Sequence, residues 1–217
     1  MRAIAASAIF LLSTVFVGSI SREGQTEKPK GQFLVASRQT GDPFFKESVV
    51  LMLPVRQEQL LVGVIINKPT KISVRDLFPD SPILEKSEEK VYFGGPVDLD
   101  VGARSAIFRS KTPPKDAALV FDDVYVTFNA AEIMALAENA QQASTMRILI
   151  GRAQWDPEQL ENEAFLGAWH SETASTDSIF GTLPDALWRI LIDKAEPKPV
   201  ARDLNPQWRL KASALFE

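Results

Sequence analysis

Short apolar runs separated by turn-forming residues constrain the fold of this chain more than any other feature. The runs are rich in Val, Ile and aromatic residues, a composition typical of β-strands. They are Gln32–Ser37, Val49–Leu53, Leu60–Ile66, Val91–Phe93, Ala103–Phe108, Ala118–Phe121, Val124–Phe128 and Met146–Ile150. Because helical patterns stand between these runs, the order of elements predicts an α+β domain.

Helix-start signals mark the remaining regular elements. Each signal combines a polar capping residue, or a proline at the first helical position, with an apolar face further along. They are Ser73-x-x-Asp76 with a short helix to Phe78, Asn129-x-x-Glu132, Asp156 before Pro157–Glu163, and the amphipathic segment Pro184–Lys194. The pair Asp122-Asp123 predicts a hairpin turn, in which a positive φ at Asp123 would cost some strain.

The N-terminus has the pattern of a secretory signal peptide. Arg2 is followed by the apolar stretch Ile4–Val17 and then by small residues around Gly18 and Ser19. Fourteen residues in a helix would span roughly 21 Å, less than the ~30 Å hydrocarbon core of a bilayer. The pattern therefore predicts a cleaved leader and a periplasmic or secreted protein. A misassigned start codon, which would leave a cytoplasmic protein, is the alternative.

Composition excludes several classes of function. Hydrophobic residues make up 45% of the 217 residues, which argues against disorder. The absence of Cys removes thiol chemistry, and the single histidine, His170, is a poor basis for a zinc site. We therefore expect no metal and no cofactor. The net charge of −4 argues against nucleic acid as a partner, because nucleic-acid binders typically carry a basic surface.

Three motifs carry a resemblance to a known family. They are Val64-Ile65-Ile66-Asn67-Lys68-Pro69, Phe93-Gly94-Gly95-Pro96-Val97 and Trp155-Asp156-Pro157-Glu158-Gln159-Leu160-Glu161. Their order and spacing resemble the YqgE/AlgH family of bacterial proteins. The longer segment Gly151–Glu163, which contains the third motif, departs from the family pattern, because Arg152 replaces Tyr, and Gln154 and Glu158 replace Gly.

The resemblance implies a fold but no reaction. It implies a single domain with a bifurcated, mainly antiparallel sheet that includes a small barrel and is surrounded by helices. On this basis we divide the chain into a signal peptide at 1–21, a linker at 22–30, the family domain at 31–195 and a C-terminal tail at 196–217. Membrane contact is expected only through an uncleaved leader.

The first candidate site residues lie in the early part of the domain. Asp42 and Ser48 match an early family motif, and Ser48 could act as a nucleophile with Lys68 as its base. The simpler interpretation is that Asp42 caps a turn and Ser48 satisfies backbone groups. Asn67 and Lys68 follow a buried strand, where they could hold an anionic or carbonyl-bearing ligand. Alternatively, Asn67 satisfies loop backbone while Lys68 faces water.

The other candidates lie in the second and third motifs. Gly94 and Gly95 could present backbone N–H groups to an anion, or simply permit a tight turn. Trp155 and Gln159, with Glu163 four residues after Gln159 on the same helix face, could line a pocket. Alternatively, the indole packs beneath the start of the helix and Gln159 ties down the loop.

Three functional hypotheses follow. The first is a non-catalytic protein of the cell envelope that binds a small ligand or a protein partner. The second is a hydrolase or transferase that uses Ser48 with Lys68 and Asn67. The third is a cytoplasmic, transcription-related regulator. We favour the first because no assembled catalytic set is visible in the sequence.

Overall fold

A computed structural model describes residues 29–139 and 141–196. The expected signal peptide, all but the last two residues of the linker, and the tail from position 197 lie outside the described residues. The strands in chain order are β1 (Gln32–Ala36), β2 (Val49–Gln57), β3 (Leu60–Ile65), β4 (Pro69–Ser73), β5 (Lys90–Phe93), β6 (Arg104–Arg109), β7 (Ala118–Phe121), β8 (Val124–Thr127), β9 (Met146–Ile150), β10 (Ala153–Trp155) and β11 (Trp169–Thr173). The α-helices are α1 (Val74–Leu77), α2 (Ala130–Glu138), α3 (Pro157–Phe165) and α4 (Pro184–Ala195).

The strands form two sheets, so the predicted α+β class and mainly antiparallel pairing are confirmed. The five-stranded sheet has the order β10-β3-β2-β1-β11 and is antiparallel throughout. The six-stranded sheet has the order β4-β5-β9-β6-β8-β7, in which β5 and β9 are parallel and the other pairs antiparallel. The small barrel that the resemblance implies stays a prediction.

Side-chain alternation along the strands separates three apolar layers. Phe33 and Val35 of β1 point into the core between the two sheets, which α4 closes with Leu187 and Leu191. Leu34, one residue out of phase, joins a second cluster on the outer face of the five-stranded sheet. A third cluster lies between the outer face of the six-stranded sheet and helices α1 and α2. It contains Val74, Leu84, Val91, Ala106, Phe108, Tyr125, Ile133, Leu136 and Ile148.

The predicted helix starts have the expected capping contacts. The carboxylate of Asp76 accepts hydrogen bonds from the backbone N–H and the hydroxyl of Ser73, at 2.8 and 2.5 Å. Asn129 accepts from two backbone N–H groups at the start of α2, and Asp156 accepts from one at the start of α3. Local capping chemistry therefore sets where these helices begin.

The hairpin between β7 and β8 differs from the prediction. The positive φ of 44° falls on Asp122, and a register shift between Leu119 and Phe121 accommodates the turn. Asp123 avoids the left-handed region, and its carboxylate accepts two hydrogen bonds from Arg109, at 2.9 and 2.7 Å. The prediction of strain at Asp123 is therefore wrong. The register shift between β7 and β8 places the left-handed conformation at Asp122 instead.

No helix among the described residues combines the length and the apolar character needed to cross a lipid bilayer.

Candidate functional site

A tight turn after β1 shapes one wall of the candidate site. The Asp42 carboxylate accepts hydrogen bonds from the backbone N–H groups of Phe44 and Phe45, at 2.7 and 3.3 Å. Bonds of this kind satisfy the backbone of a turn that makes no ladder contacts. The turn directs Phe45 toward the outer face of the five-stranded sheet, where it packs on the apolar cluster there.

Three aromatic rings from separate parts of the chain meet at this face. Phe45 lies 5.5 Å from the ring of Trp155 in β10 and 5.3 Å from the ring of Trp169 in β11. The two indoles pack edge to face, with their centroids 5.8 Å apart. Trp155 and Trp169 are only 2% and 7% exposed, respectively. We call Phe45, Trp155 and Trp169 the aromatic cluster.

One carboxylate holds both indoles. Oε2 of Glu163 accepts hydrogen bonds from the Nε1 atoms of Trp155 and Trp169, at 3.2 and 2.8 Å. Oε1 accepts from the Nε2 amide of Gln159, at 2.7 Å. Because buried indole N–H groups need an acceptor, Glu163 fixes helix α3 against the two tryptophans.

A cavity of about 430 Å³ opens beside the aromatic cluster. Its lining includes the predicted residues Asp42, Trp155 and Gln159, together with Glu163 and the polar side chains Ser37, Gln39, Thr40 and Gln154. Asp42 and Glu163 are the ionisable residues among those that line it, and both are acidic. The electrostatics of this cavity therefore disfavour an anion and suit a neutral or cationic group that forms hydrogen bonds.

Gln154 occupies a position at which the resemblance leads us to expect glycine. Its Oε1 accepts a hydrogen bond from Nε of Arg152 at 3.1 Å, and Arg152 is ion-paired with Asp98. The side chain of Gln154 is thereby fixed in the cavity wall. The departures from the family pattern at 152 and 154 thus contact each other, and Gln154 adds a polar side chain to the cavity lining.

Asn67 and Lys68 lie away from this cavity. Asn67 accepts a hydrogen bond from the backbone N–H of Val49 at 2.7 Å and donates to the carbonyl of Glu47 at 3.0 Å. These contacts hold the turn that precedes β2, where Glu47 has a positive φ of 55°. Both residues line a separate cleft with Lys46, Asp185 and Trp188.

Lys68 also contacts the backbone of the early turn. Its Nζ donates a hydrogen bond to the carbonyl of Phe44 at 2.7 Å. Burial lowers the pKa of the Lys68 ammonium, and the nearby carboxylates of Glu47 and Asp42 oppose that shift. Asn67 and Lys68 are therefore both used to fix the segment between β1 and β2.

Ser48 is fully buried, and its hydroxyl donates a hydrogen bond to the carbonyl of Phe45 at 2.7 Å. A nucleophile must reach its substrate and needs a base within hydrogen-bond distance. Within the part of the chain that the structure describes, Ser48 makes no hydrogen bond to Lys68 or Asn67. The arrangement matches the interpretation in which Ser48 satisfies turn backbone.

The Gly94-Gly95 pair lies where two backbone segments approach closely. A Cβ atom on Gly94 would lie 2.4 Å from the carbonyl oxygen of Gly151. A Cβ on Gly95 would lie 2.3 Å from the carbonyl carbon of Arg152, and Gly95 has a φ of 147°. The N–H of Gly94 already donates to the carbonyl of Ile150, at 2.7 Å. Close backbone packing therefore accounts for these glycines.

Sequence reasoning left several residues of the site unassigned. Helix spacing had placed Glu163 beside Gln159, but Phe45 and Trp169 were visible only as residue types, and no sequence signal joins Phe45 to tryptophans more than a hundred positions away. Their meeting depends on the pairing of β1 with β11 and of β3 with β10. No group of three or more His, Asp or Glu side chains suited to a metal ion was found in residues 29–139 and 141–196.

Comparison with known proteins decides the family. The model of the AlgH-like family matches residues 33–199. This chain belongs to the AlgH-like family. A UPF0301 protein, SCO2948 of Streptomyces coelicolor, is 33% identical over 160 residues, which is 73% of this chain and 82% of the relative. The UPF0301 protein YqgE of Salmonella paratyphi B is 30% identical over 169 residues, covering 72% of this chain and 86% of the relative.

Two solved structures confirm the AlgH-like fold. The AlgH protein of Pseudomonas aeruginosa matches with a TM-score of 0.58 at 23% identity, over 76% of this chain and 86% of AlgH. The protein DIP2367 of Corynebacterium diphtheriae matches with a TM-score of 0.61 at 20% identity, over 79% and 88% of the two chains. The family is uncharacterised, with no specific activity established. The residues that the family model matches, 33–199, include the aromatic cluster and the lining of the cavity beside it.

Proposed function

We propose that this protein is a non-catalytic binding protein of the cell envelope, and that the cavity beside the aromatic cluster is its binding site. The observation that supports this is a cavity of about 430 Å³ that is lined by aromatic side chains, by polar side chains and by two acidic residues. Ligand sites are typically concave and combine apolar surface with a few fixed polar groups. The envelope assignment rests on the predicted signal peptide.

The chemistry of the lining limits the ligand class. Asp42 and Glu163 disfavour a carboxylate or phosphate, whereas the amide of Gln154 and the hydroxyls of Ser37 and Thr40 can bond an amide or amine. The indoles are themselves nearly buried, so a ligand would meet their edges and the polar rim rather than stack on their faces. A small neutral or cationic compound, or one such side chain of a protein partner, fits this surface.

Binding can be tested with the purified full chain by ligand-detected NMR. The probes would be matched small amines, primary amides and carboxylates. We expect amines and amides to bind, carboxylates to bind at least tenfold more weakly, and Gln154→Leu to weaken amide binding. Gln141→Leu, an exposed position that does not line the cavity, is the matched control. Equal binding of all three classes, or equal effects of the two variants, would contradict the proposal.

Two further measurements address the competing hypotheses. Hydrolysis of an activated ester that is abolished in Ser48→Ala, with folding retained, would favour the enzyme hypothesis. Determination of the N-terminal residue after cell fractionation tests the location. A mature form that begins near Ile20 or Arg22 supports the envelope assignment, whereas an intact cytoplasmic chain would contradict it and favour the regulator hypothesis.

A further inference from the structure

A second cleft contains a buried cation. Arg147 in β9 is only 6% exposed, and its Nη1 donates a hydrogen bond to the carbonyl of Ile66. Its guanidinium lies over the ring of Tyr92, 4.9 Å from the centroid. Across residues 29–139 and 141–196, none of the ion pairs includes Arg147. Buried charges in proteins are usually paired, because removing an ion from water is costly.

The position of Arg147 follows from strand geometry. β5 and β9 are parallel neighbours, and Tyr92 is paired with Leu149, two residues after Arg147. Alternation along the strands therefore places Arg147, Tyr92 and Lys90 on one face of the six-stranded sheet. Burial lowers the pKa of the Arg147 guanidinium, although a guanidinium keeps its charge in proteins. The charge is therefore present and has no carboxylate counterpart among the described residues.

Side chains that can donate hydrogen bonds line part of the space beside Arg147. A cleft of about 210 Å³ is lined by Arg147, Lys90, Tyr92, Ser144 and Thr182. Leu183 and Pro184, where α4 begins, form another part of its wall, so the positive end of that helix dipole lies at the same cleft. Glu89 also lines the cleft, but it is exposed and has no ion pair with Arg147.

The geometry points to an oxyanion-binding site in this cleft. The Arg147 guanidinium lies at the bottom of the cleft, and Lys90 lies at its rim. The ligand class is a phosphate or carboxylate group, because these are the anions that a guanidinium binds with paired hydrogen bonds. The site is separate from the cavity of the aromatic cluster and has the opposite charge preference. The proposal therefore stands or fails independently of the function proposed above.

The proposal can be tested by titrating the full chain with inorganic phosphate, and separately with acetate, at constant ionic strength set with sodium chloride. Binding is followed by backbone amide shifts in heteronuclear NMR spectra. We expect saturable shifts near Ser144 and Thr182. Lys90→Gln, at an exposed rim position, should weaken binding about threefold to tenfold, which corresponds to the loss of one favourable charge contact.

Arg147→Met removes the charge and retains a side chain of similar reach, so it should abolish the shifts. Arg109→Met is the matched control, because Arg109 is ion-paired with Asp123 outside the cleft. If Arg147→Met fails to fold, the effect of Lys90→Gln on anion binding still tests the proposal. Phosphate-selective or acetate-selective saturation would identify the group. Absence of saturable shifts with both anions, or shifts unchanged in Lys90→Gln and Arg147→Met, overturns the proposal.

Discussion

The carboxylate of Glu163 makes the sharpest prediction about stability. Helix α3 contributes no fully buried side chain, so its attachment to the sheet depends on Leu160 and on the hydrogen bonds of Glu163. Replacing Glu163 with Ala removes the acceptor for two indole N–H groups, whose tryptophans are 2% and 7% exposed. A lost hydrogen bond to a charged group is worth about 1.5–3 kcal/mol when no partner replaces it.

Water in the adjoining cavity can reach Glu163, which is half-buried, and can replace part of each bond. We therefore use about 1 kcal/mol for each indole rather than the full value, which predicts a loss of roughly 2 kcal/mol in the free energy of unfolding. Glu163→Gln keeps an oxygen where the indoles donate, so its loss should stay below about 1 kcal/mol.

Urea denaturation, followed by circular dichroism and by tryptophan fluorescence, measures these differences. Glu161→Ala is the matched control, because Glu161 lies on the same helix, is exposed and has the same gain in helix propensity. Its effect should remain within about 0.5 kcal/mol. If Glu163→Ala and Glu161→Ala change the unfolding free energy equally, the carboxylate does not anchor the helix and the reasoning is wrong.

Three other substitutions test parts of the fold, all by urea denaturation. Asn67→Ala should lower the free energy of unfolding by about 2–3 kcal/mol, because it leaves the buried N–H of Val49 without an acceptor; a loss below about 0.5 kcal/mol would show that Asn67 is dispensable. Gly95→Ala should cost about 3 kcal/mol, because its Cβ meets a backbone carbonyl at 2.3 Å, and a neutral result would contradict that contact. Hydrogen bonds from Ser73 lower the pKa of Asp76 below its ordinary 3.8, so its contribution is present above that pH and is lost as the pH falls through the folded pKa. The difference in urea midpoint between the wild type and Asp76→Asn should therefore be visible at about pH 7 and decrease as the pH falls below 3.8; a difference independent of pH would refute the assignment.

The strands that the sequence reasoning missed share a position in the fold. β4, β10 and β11 are all edge strands, whereas every interior strand of both sheets was predicted. An edge strand has a pairing partner on one side only, and these three are short or polar, as in Trp169–Thr173. Their hydrophobic pattern is therefore weak, and the neighbouring strand decides whether they pair.

The candidate site was predicted only in part for a related reason. Trp155 and Gln159 were identified together because they share one motif, and Asp42 was identified because, with Ser48, it matches an early family motif. Asn67, Lys68 and Ser48 were grouped with them on residue type, yet they fix the turn before β2. Residue type indicates what a side chain can bond, but it does not say whether backbone or ligand provides the partner.

The sequence by itself determined the interior strands, the helix starts and the family, because these depend on periodicity, capping residues and motifs within a few positions of one another. The tertiary structure decided the joining of Phe45, Trp155 and Trp169 around Glu163, and the burial of Arg147 against Tyr92. Phe45 lies more than a hundred positions from both tryptophans, and Tyr92 lies 55 positions from Arg147. These contacts form only when strand pairing and register bring the residues to one face, which no local pattern encodes.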